Sequence, residues 1–353
     1  MSPLFELLER SSSRFENRNL LVVGEILDEQ LLKLAKETKQ AFFVIDNFVT
    51  ANSMAAMLGQ SLDAVYSQTI SYKHITVAYA PLEKVLKDIN EVDLVLVLLS
   101  KNKQATIKTL SCLNPLLKEN TTILLAGENS GGGKSAGSLL KPCGEVIKLD
   151  LARKCTLFGA QFQTPFPKFK TPPTIEISTC GTKFKIEQDP LVFAQGRLDE
   201  GTSMLLYALA EQSPCENVLD LGCGCGIVGI FLRSLGFKQI LSSDVSAQAL
   251  FLAQKNAQNN NLDDISYRSA DMLENLGKFN LIAVNPPFHR GLLTTTTPTL
   301  NMISKAPEHL TPQGVMFLVA NAHLPYMDSL KQAFKNVTIV KENTRYKVYR
   351  ACN

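Results

Sequence analysis

Apolar and polar positions follow one another along this chain in two kinds of block. Short runs of β-branched and large aliphatic residues lie at 218–221, 240–245, 265–268, 281–284 and 315–320. Runs this short, without polar alternation, suit strands buried on both faces of a parallel sheet. Between them the apolar spacing becomes helical, at 227–235 and again at 246–259, where Ser246 can cap a helix N-terminus. Strand and helix in strict alternation predict a doubly wound α/β sheet with helices on both faces. The last segments, 337–340 and 347–351, read as two strands joined by a turn at Glu342-Asn343.

The first half has the same rhythm, with runs at 20–23, 42–45, 75–79, 94–99 and 122–125, then 146–149 and 156–159. The first and fourth runs start 74 residues apart here (20 to 94) and 63 in the second half (218 to 281). The endings are alike in kind, ARKCTLFGA near residue 155 and TRYKVYRA near residue 347. The chain therefore reads as two tandem doubly wound, Rossmann-like domains produced by an internal duplication. Residues 163–174, QTPFPKFKTPPT, hold four prolines, which neither a helix nor a central strand accepts. They are expected to form a solvated linker between domains at 1–162 and 175–353. Phe166, Lys168, Phe169 and Lys170 in that segment are the pattern that stacks on single-stranded nucleic acid, although solvation is the simpler expectation.

Charge changes the picture little. Of 36 basic and 33 acidic residues, 18 and 17 lie before residue 166 and 18 and 16 after it. Neither half is a bulk polycation, so any nucleic-acid contact must use local patches. Eight scattered cysteines without a CxxC pair read as reduced thiols, with no zinc site. A polar, charged N-terminus and the lack of a long apolar run lead to the expectation of a cytoplasmic protein with no membrane partner.

The chemistry concentrates in the second half. The segment 217–226, NVLDLGCGCG, ends a buried strand in Asp220 and follows it with Gly222, Gly224 and Gly226. Glycines admit positive φ and a close ligand, and the helix beyond them offers N–H groups and positive dipole. The pattern departs from the dinucleotide G-x-G-x-x-G and resembles the first motif of class I S-adenosylmethionine methyltransferases. There the loop takes the methionine portion and the acid helps hold its ammonium group. Asp244 ends the second strand, where a carboxylate can accept two ribose hydroxyls, and Asp271 follows the third, on the adenine side. The fourth strand runs into Asn285-Pro286-Pro287-Phe288. This resembles the N/D-P-P-Y/F signature of methyltransferases that act on planar exocyclic amines. The Asn285 side-chain oxygen and the Pro286 carbonyl can each accept one N–H of the amine, and Phe288 can stack on the base. Upstream, Thr202 precedes a helical stretch at 203–210, which it could cap; in related enzymes a similar F-x-x-x-x-L-D-x-G-T stretch folds over the cofactor. Arg197 and Asp199 are further candidates there.

Two features of the first half are decoys. Gly127-Glu-Asn-Ser-Gly-Gly-Gly-Lys-Ser135 fails the phosphate-loop spacing by one residue. The first strand there leads to Gly24-Glu25 with no glycine repeat, and the fourth to Ser100-Lys-Asn-Lys-Gln where the second half has Asn-Pro-Pro-Phe. This copy is expected to be degenerate, a scaffold or RNA-binding domain.

Across both halves the chain resembles the RsmC family of bacterial small-subunit ribosomal RNA guanine-N2 methyltransferases. The likeness rests on GENSGGGKSA at 127–136, LDEGT at 198–202, VLDLGCGCG, NPPFH at 285–289, VANAHLPY at 319–326 and RYKVYRA at 345–351. It implies a degenerate N-terminal methyltransferase-like domain, an active C-terminal one, S-adenosylmethionine as cofactor, and small-subunit rRNA or the 30S subunit as substrate for a monomeric enzyme. The tetrapeptide alone leaves an adenine N6 or a protein glutamine amine open. A non-catalytic RNA-binding assembly factor is the reading from another class, against which the intact glycine, Asp244 and Asn285 set speaks.

Overall fold

The apolar runs become strands of two separate sheets in a computed structural model, which describes residues 2–192, 196–286 and 297–353. The chain divides into two compact units, Met1–Thr171 and Pro172–Asn353.

In the first unit the strands are β1 (Asn19–Gly24), β2 (Gln40–Ile45), β3 (Gln68–Tyr72), β4 (Ile75–Tyr79), β5 (Leu94–Leu98), β6 (Thr122–Glu128), β7 (Val146–Ala152) and β8 (Cys155–Gln161). They form one sheet in the order β3-β4-β2-β1-β5-β6-β8-β7. The pairs among β4, β2, β1, β5 and β6 are parallel, while β8 runs antiparallel to both β6 and β7. Helices α1 (Pro3–Glu9), α2 (Phe48–Met57), α3 (Leu82–Val85) and α4 (Lys103–Leu113) belong to this unit. β5, Leu-Val-Leu-Val-Leu, is buried at every position, as a central parallel strand must be.

The second unit opens with a hairpin, β9 (Ile175–Thr179) and β10 (Thr182–Ile186). Its main strands are β11 (Val218–Leu221), β12 (Ile240–Asp244), β13 (Ile265–Ser269), β14 (Phe279–Val284), β15 (Leu310–Asn321), β16 (Asn336–Glu342) and β17 (Tyr346–Cys352), in the order β13-β12-β11-β14-β15-β17-β16. Helices α5 (Glu200–Leu209), α6 (Ile227–Ser234), α7 (Ala247–Asn259), α8 (Thr297–Lys305) and α9 (Tyr326–Ala333) complete it. Ser246 caps α7 by accepting from the Ala249 N–H. Setting β3 aside, the two sheets share one order: third, second, first, fourth, fifth, seventh, sixth. That identity of topology is the structural form of the duplication. No helix among the described residues is long and apolar enough to cross a membrane.

The structure departs from the sequence reading in four places. β3 pairs antiparallel with β4 and has no counterpart in the second unit. The β9–β10 hairpin turns on Cys180 and Gly181, both at positive φ (48° and 80°), which is turn geometry that cysteine rarely marks. The helix expected at 203–210 starts at Glu200, because Asp199 and not Thr202 is its cap. Finally, Phe166, within the otherwise largely exposed 163–174 segment, is not solvated. Phe166 is 4% exposed, its ring lies 6.5 Å from that of Phe162, and the Asn114 amide accepts from its N–H and donates to its carbonyl, each at 2.9 Å. Burying that ring is worth about 2–3 kcal/mol, which outweighs exposure as an RNA platform.

Candidate active site

The glycine loop is built on the carboxyl end of β11. Gly222, Gly224 and Gly226 all have positive φ (71°, 53° and 82°). Their reasons differ. A Cβ on Gly226 would lie 2.7 Å from the Ala253 Cβ, so glycine is required there for α7 to pack against the loop. A Cβ on Gly222 would meet nothing within 4 Å among the described residues, so at this position the loop faces open space where a ligand can approach. The N-cap of α6 is Gly226, which has no side chain of its own to accept from the first turn of that helix. Such a turn favours a carboxylate.

Asp220 is 3% exposed, and its Oδ2 accepts from the Gly229 N–H at 2.9 Å, in the first turn of α6. Burial pushes its carboxyl up to about 7, the nearby Asp244 charge adds to that, and the Gly229 N–H and Ser242 hydroxyl oppose it. The structure thus gives Asp220 a direct role beneath the loop, tying β11 to α6. Asp244 is half-buried; its Oδ2 accepts from the Gly224 N–H and its Oδ1 from the Ser246 N–H, both at 3.0 Å. Those bonds hold the carboxylate at the strand end beside the loop. Asp271 lies two residues past β13 and lines a cleft with Met272, Thr297, Met302 and His309. Burial holds the Cys223 thiol well above its ordinary range and that of Cys225 at about 11, so neither is a thiolate nucleophile.

Asn285 follows β14 and is anchored from one side. Its Nδ2 donates to Thr202 Oγ1 at 2.8 Å and to Asp199 Oδ2 at 3.2 Å. Its Oδ1 is buried and has no hydrogen-bond partner among the described residues. A buried acceptor left unmet costs about 1–3 kcal/mol, a cost that a substrate donor would relieve. Thr202, expected on the cofactor side, is 7% exposed, and its hydroxyl is engaged with Asp199 and Asn285. Its direct role is therefore to hold Asn285. Pro286 is buried beside it, and Pro287, Phe288 and His289 lie outside the described residues.

Strand register shows what became of the same site in the first unit. Leu20 pairs with Ala41 and Leu94, as Val218 pairs with Ile240 and Leu281. Carried along the strands, Val22, Ile45 and Leu98 stand where the second unit has Asp220, Asp244 and Asn285, and Pro81 stands for Asp271. Every polar group is gone. The counterpart of Asn-Pro-Pro-Phe begins at Leu98, two residues before the Ser100 that sequence comparison suggested. The crevice is also filled: Glu25 N–H donates to the Leu98 carbonyl, and a Cβ on Gly24 would sit 2.1 Å from that oxygen. The glycine-rich 127–135 segment is no phosphate cradle either, since Gly133 packs against the carbonyls of Gly127 and Glu128.

Two supporting residues carried little sequence signal. Asn256, fully buried in α7, donates to the carbonyls of Glu187 and Cys225 and accepts from the Glu187 N–H. It fastens the glycine loop to the segment after β10. Tyr346 packs its ring against Gly201 in the first turn of α5, where a Cβ would come within 3.0 Å. Glu200 in the same turn is held by Asn343 and Arg345. The start of α5, which carries Asp199 and Thr202, is thereby pinned to the turn between β16 and β17.

The comparisons with known proteins agree with this geometry. Residues 183–350 match the family described as methyltransferase small domain, and residues 5–176 its N-terminal counterpart. The ribosomal RNA small subunit methyltransferase C of Aeromonas hydrophila is 32% identical over 355 aligned positions, covering 99% of this chain and 98% of that protein. The same-named protein of Haemophilus influenzae is also 32% identical, over 99% and 98%. Among solved structures, the T. thermophilus 16S rRNA N2 G1207 methyltransferase, bound to AdoMet and guanosine, matches with a TM-score of 0.81 at 20% identity, covering 100% of this chain and 92% of that one. Two tandem methyltransferase folds, the first emptied of its polar site and the second retaining it, together with full-length likeness at this level, make the chain a member of the ribosomal RNA small subunit methyltransferase C family.

Proposed function

We propose that this chain transfers the methyl group of S-adenosylmethionine to the exocyclic N2 amine of a guanine in small-subunit ribosomal RNA. The observation that carries the reading is the buried Asn285 Oδ1, aligned by its own amide nitrogen and lacking a partner among the described residues. The small-subunit RNA comes from relatives named for it, and the guanine N2 from the name of the similar T. thermophilus enzyme.

The residues at the sheet edge fit the cofactor. The open crest at Gly222 and the first turn of α6 would take the methionine carboxylate, Asp220 would favour the ammonium from below the loop, Asp244 would take the ribose hydroxyls, and Asp271 the adenine side. When bound, S-adenosylmethionine supplies a methyl already activated by its positive sulfur. The protein's part is then positioning. Asn285 Oδ1 accepts one N–H of the amine and the Pro286 carbonyl the other; the tetrapeptide signature assigns stacking on the base to Phe288, which lies outside the described residues. With both hydrogens engaged in this way the nitrogen is drawn toward tetrahedral geometry and its lone pair leaves conjugation with the ring, localised on nitrogen toward the methyl. A guanine in structured RNA must be exposed or flipped out to reach this point. The first unit serves as scaffold or RNA-binding surface, and the enzyme acts as a monomer in the cytoplasm.

The test is nucleoside mass spectrometry of small-subunit rRNA, from cells lacking the protein, incubated with enzyme and isotopically labelled cofactor. Label in N2-methylguanosine is expected; label on adenosine would overturn the guanine assignment. Asn285→Ala should lower kcat by about a hundredfold or more while leaving cofactor Kd nearly unchanged. Equal loss of both would move Asn285 to the cofactor.

A further inference from the structure

We infer that Asp199 is a positioning residue that fixes which end of the Asn285 amide faces the substrate. The inference rests on the reading that Asn285 Oδ1 accepts the amine. The two ends of a carboxamide are nearly equal in shape, so only their neighbours decide the orientation. Here a single carboxylate oxygen decides it. Asp199 Oδ2 accepts from the Thr202 N–H at 2.9 Å, from Thr202 Oγ1 at 3.2 Å and from Asn285 Nδ2 at 3.2 Å.

An ionised carboxylate only accepts, so Thr202 must give it its one hydroxyl proton. Thr202 Oγ1 is then left with lone pairs alone, and one of them takes the other Asn285 N–H at 2.8 Å. Both groups facing Nδ2 are thus forced to be acceptors, one directly and one by relay. A turned amide would set Oδ1 against a carboxylate and against a hydroxyl lone pair together. Oδ1 is therefore locked toward the side where it has no partner among the described residues. The platform is firm, because Asp199 is also the cap of α5, whose first turn is held by Tyr346, Asn343 and Arg345.

Asp199→Asn separates this role from capping. Asparagine is as good a helix cap, so the Thr202 N–H keeps its acceptor, but its amide can also donate and so no longer dictates polarity. We expect kcat to fall about tenfold or more, the loss typical of one charge-assisted hydrogen bond, with cofactor Kd and melting temperature nearly unchanged. Thr202→Val, which keeps the shape and breaks the relay, should do the same and serves if Asp199→Asn folds poorly. The Asn285 side-chain amide resonances, identified by their loss in Asn285→Ala, should shift in both variants. Full kcat in both, with Asn285→Ala inactive, would overturn the positioning role and leave the proposed function standing. A kcat loss matched by loss of Kd or melting temperature would reduce Asp199 to a cap and overturn it equally. Normal turnover in Asn285→Ala would overturn the reading beneath both.

Discussion

Replacing Asp220 by Asn should make the second unit more stable at neutral pH and flatten its pH dependence. The carboxyl is 3% exposed and sits near the Asp244 charge, with its pKa raised from 3.8 to about 7. Below about pH 4 both folded and unfolded chains hold the proton, and the group is neutral to stability. Between 4 and 7 the unfolded chain has released the proton while the folded one keeps it, so stability falls by about 1.4 kcal/mol per pH unit. Above 7 both are ionised and the full cost, about 4 kcal/mol at most, persists. An Asn side chain keeps an acceptor for the Gly229 N–H and does not titrate. The variant should therefore match the wild type near pH 4 and exceed it by a few kcal/mol at pH 8. The chain has no tryptophan, and its two units need separate readouts. Urea unfolding read by hydrogen-exchange mass spectrometry of peptides covering residues 218–232 supplies one. Parallel pH curves for wild type and variant would refute the reasoning, since burial of the charge would then carry no cost. Calorimetry should show the opposite trend in binding, with S-adenosylmethionine held about tenfold more weakly once the buried negative charge is gone.

Gly226→Ala should lower stability by about 2–4 kcal/mol, because a Cβ would meet Ala253 at 2.7 Å on a backbone of positive φ. Gly222→Ala has only the φ cost, about 1–2 kcal/mol, yet should lose cofactor affinity because its Cβ points into open space; melting curves and calorimetry that rank the two alike would count against this division. Asn256→Ala should cost about 1–3 kcal/mol by leaving part-buried backbone groups of Glu187 and Cys225 unmet, with faster amide exchange at Glu187; unchanged exchange there would refute the fastening role.

The parallel strands were legible because burial on both faces leaves short apolar runs such as Val218–Leu221, whose bounds match the reading. The duplication was legible in those runs and became unambiguous only when register placed Leu98 opposite Asn285. Pairing partners, which decide equivalence, are not written in spacing. β3 was missed because Gln-Thr-Ile-Ser-Tyr is largely exposed and lacks an apolar signature. The acids at the strand ends were found, but their partners were not. That Asp220 bonds to Gly229 and Thr202 to Asn285 depends on helix placement, which one-dimensional patterns do not carry. Asp199 could have been recognised as a cap, since Asp-Glu before an apolar helical run is a start signal; its contact with Asn285, 86 positions away, could not.

The Glu25 to Leu98 hydrogen bond across the first unit's crevice bears on how such a duplicate could be put back to work. Changing Val22, Ile45, Pro81 and Leu98 to the second unit's residues would supply polar groups but no room, because the chain's own backbone occupies the gap. Restoring a ligand site would need a rebuilt loop after β1, longer and richer in glycine. The first half is in that sense a closed lock, and its surface is free to change for other uses without reviving the old one.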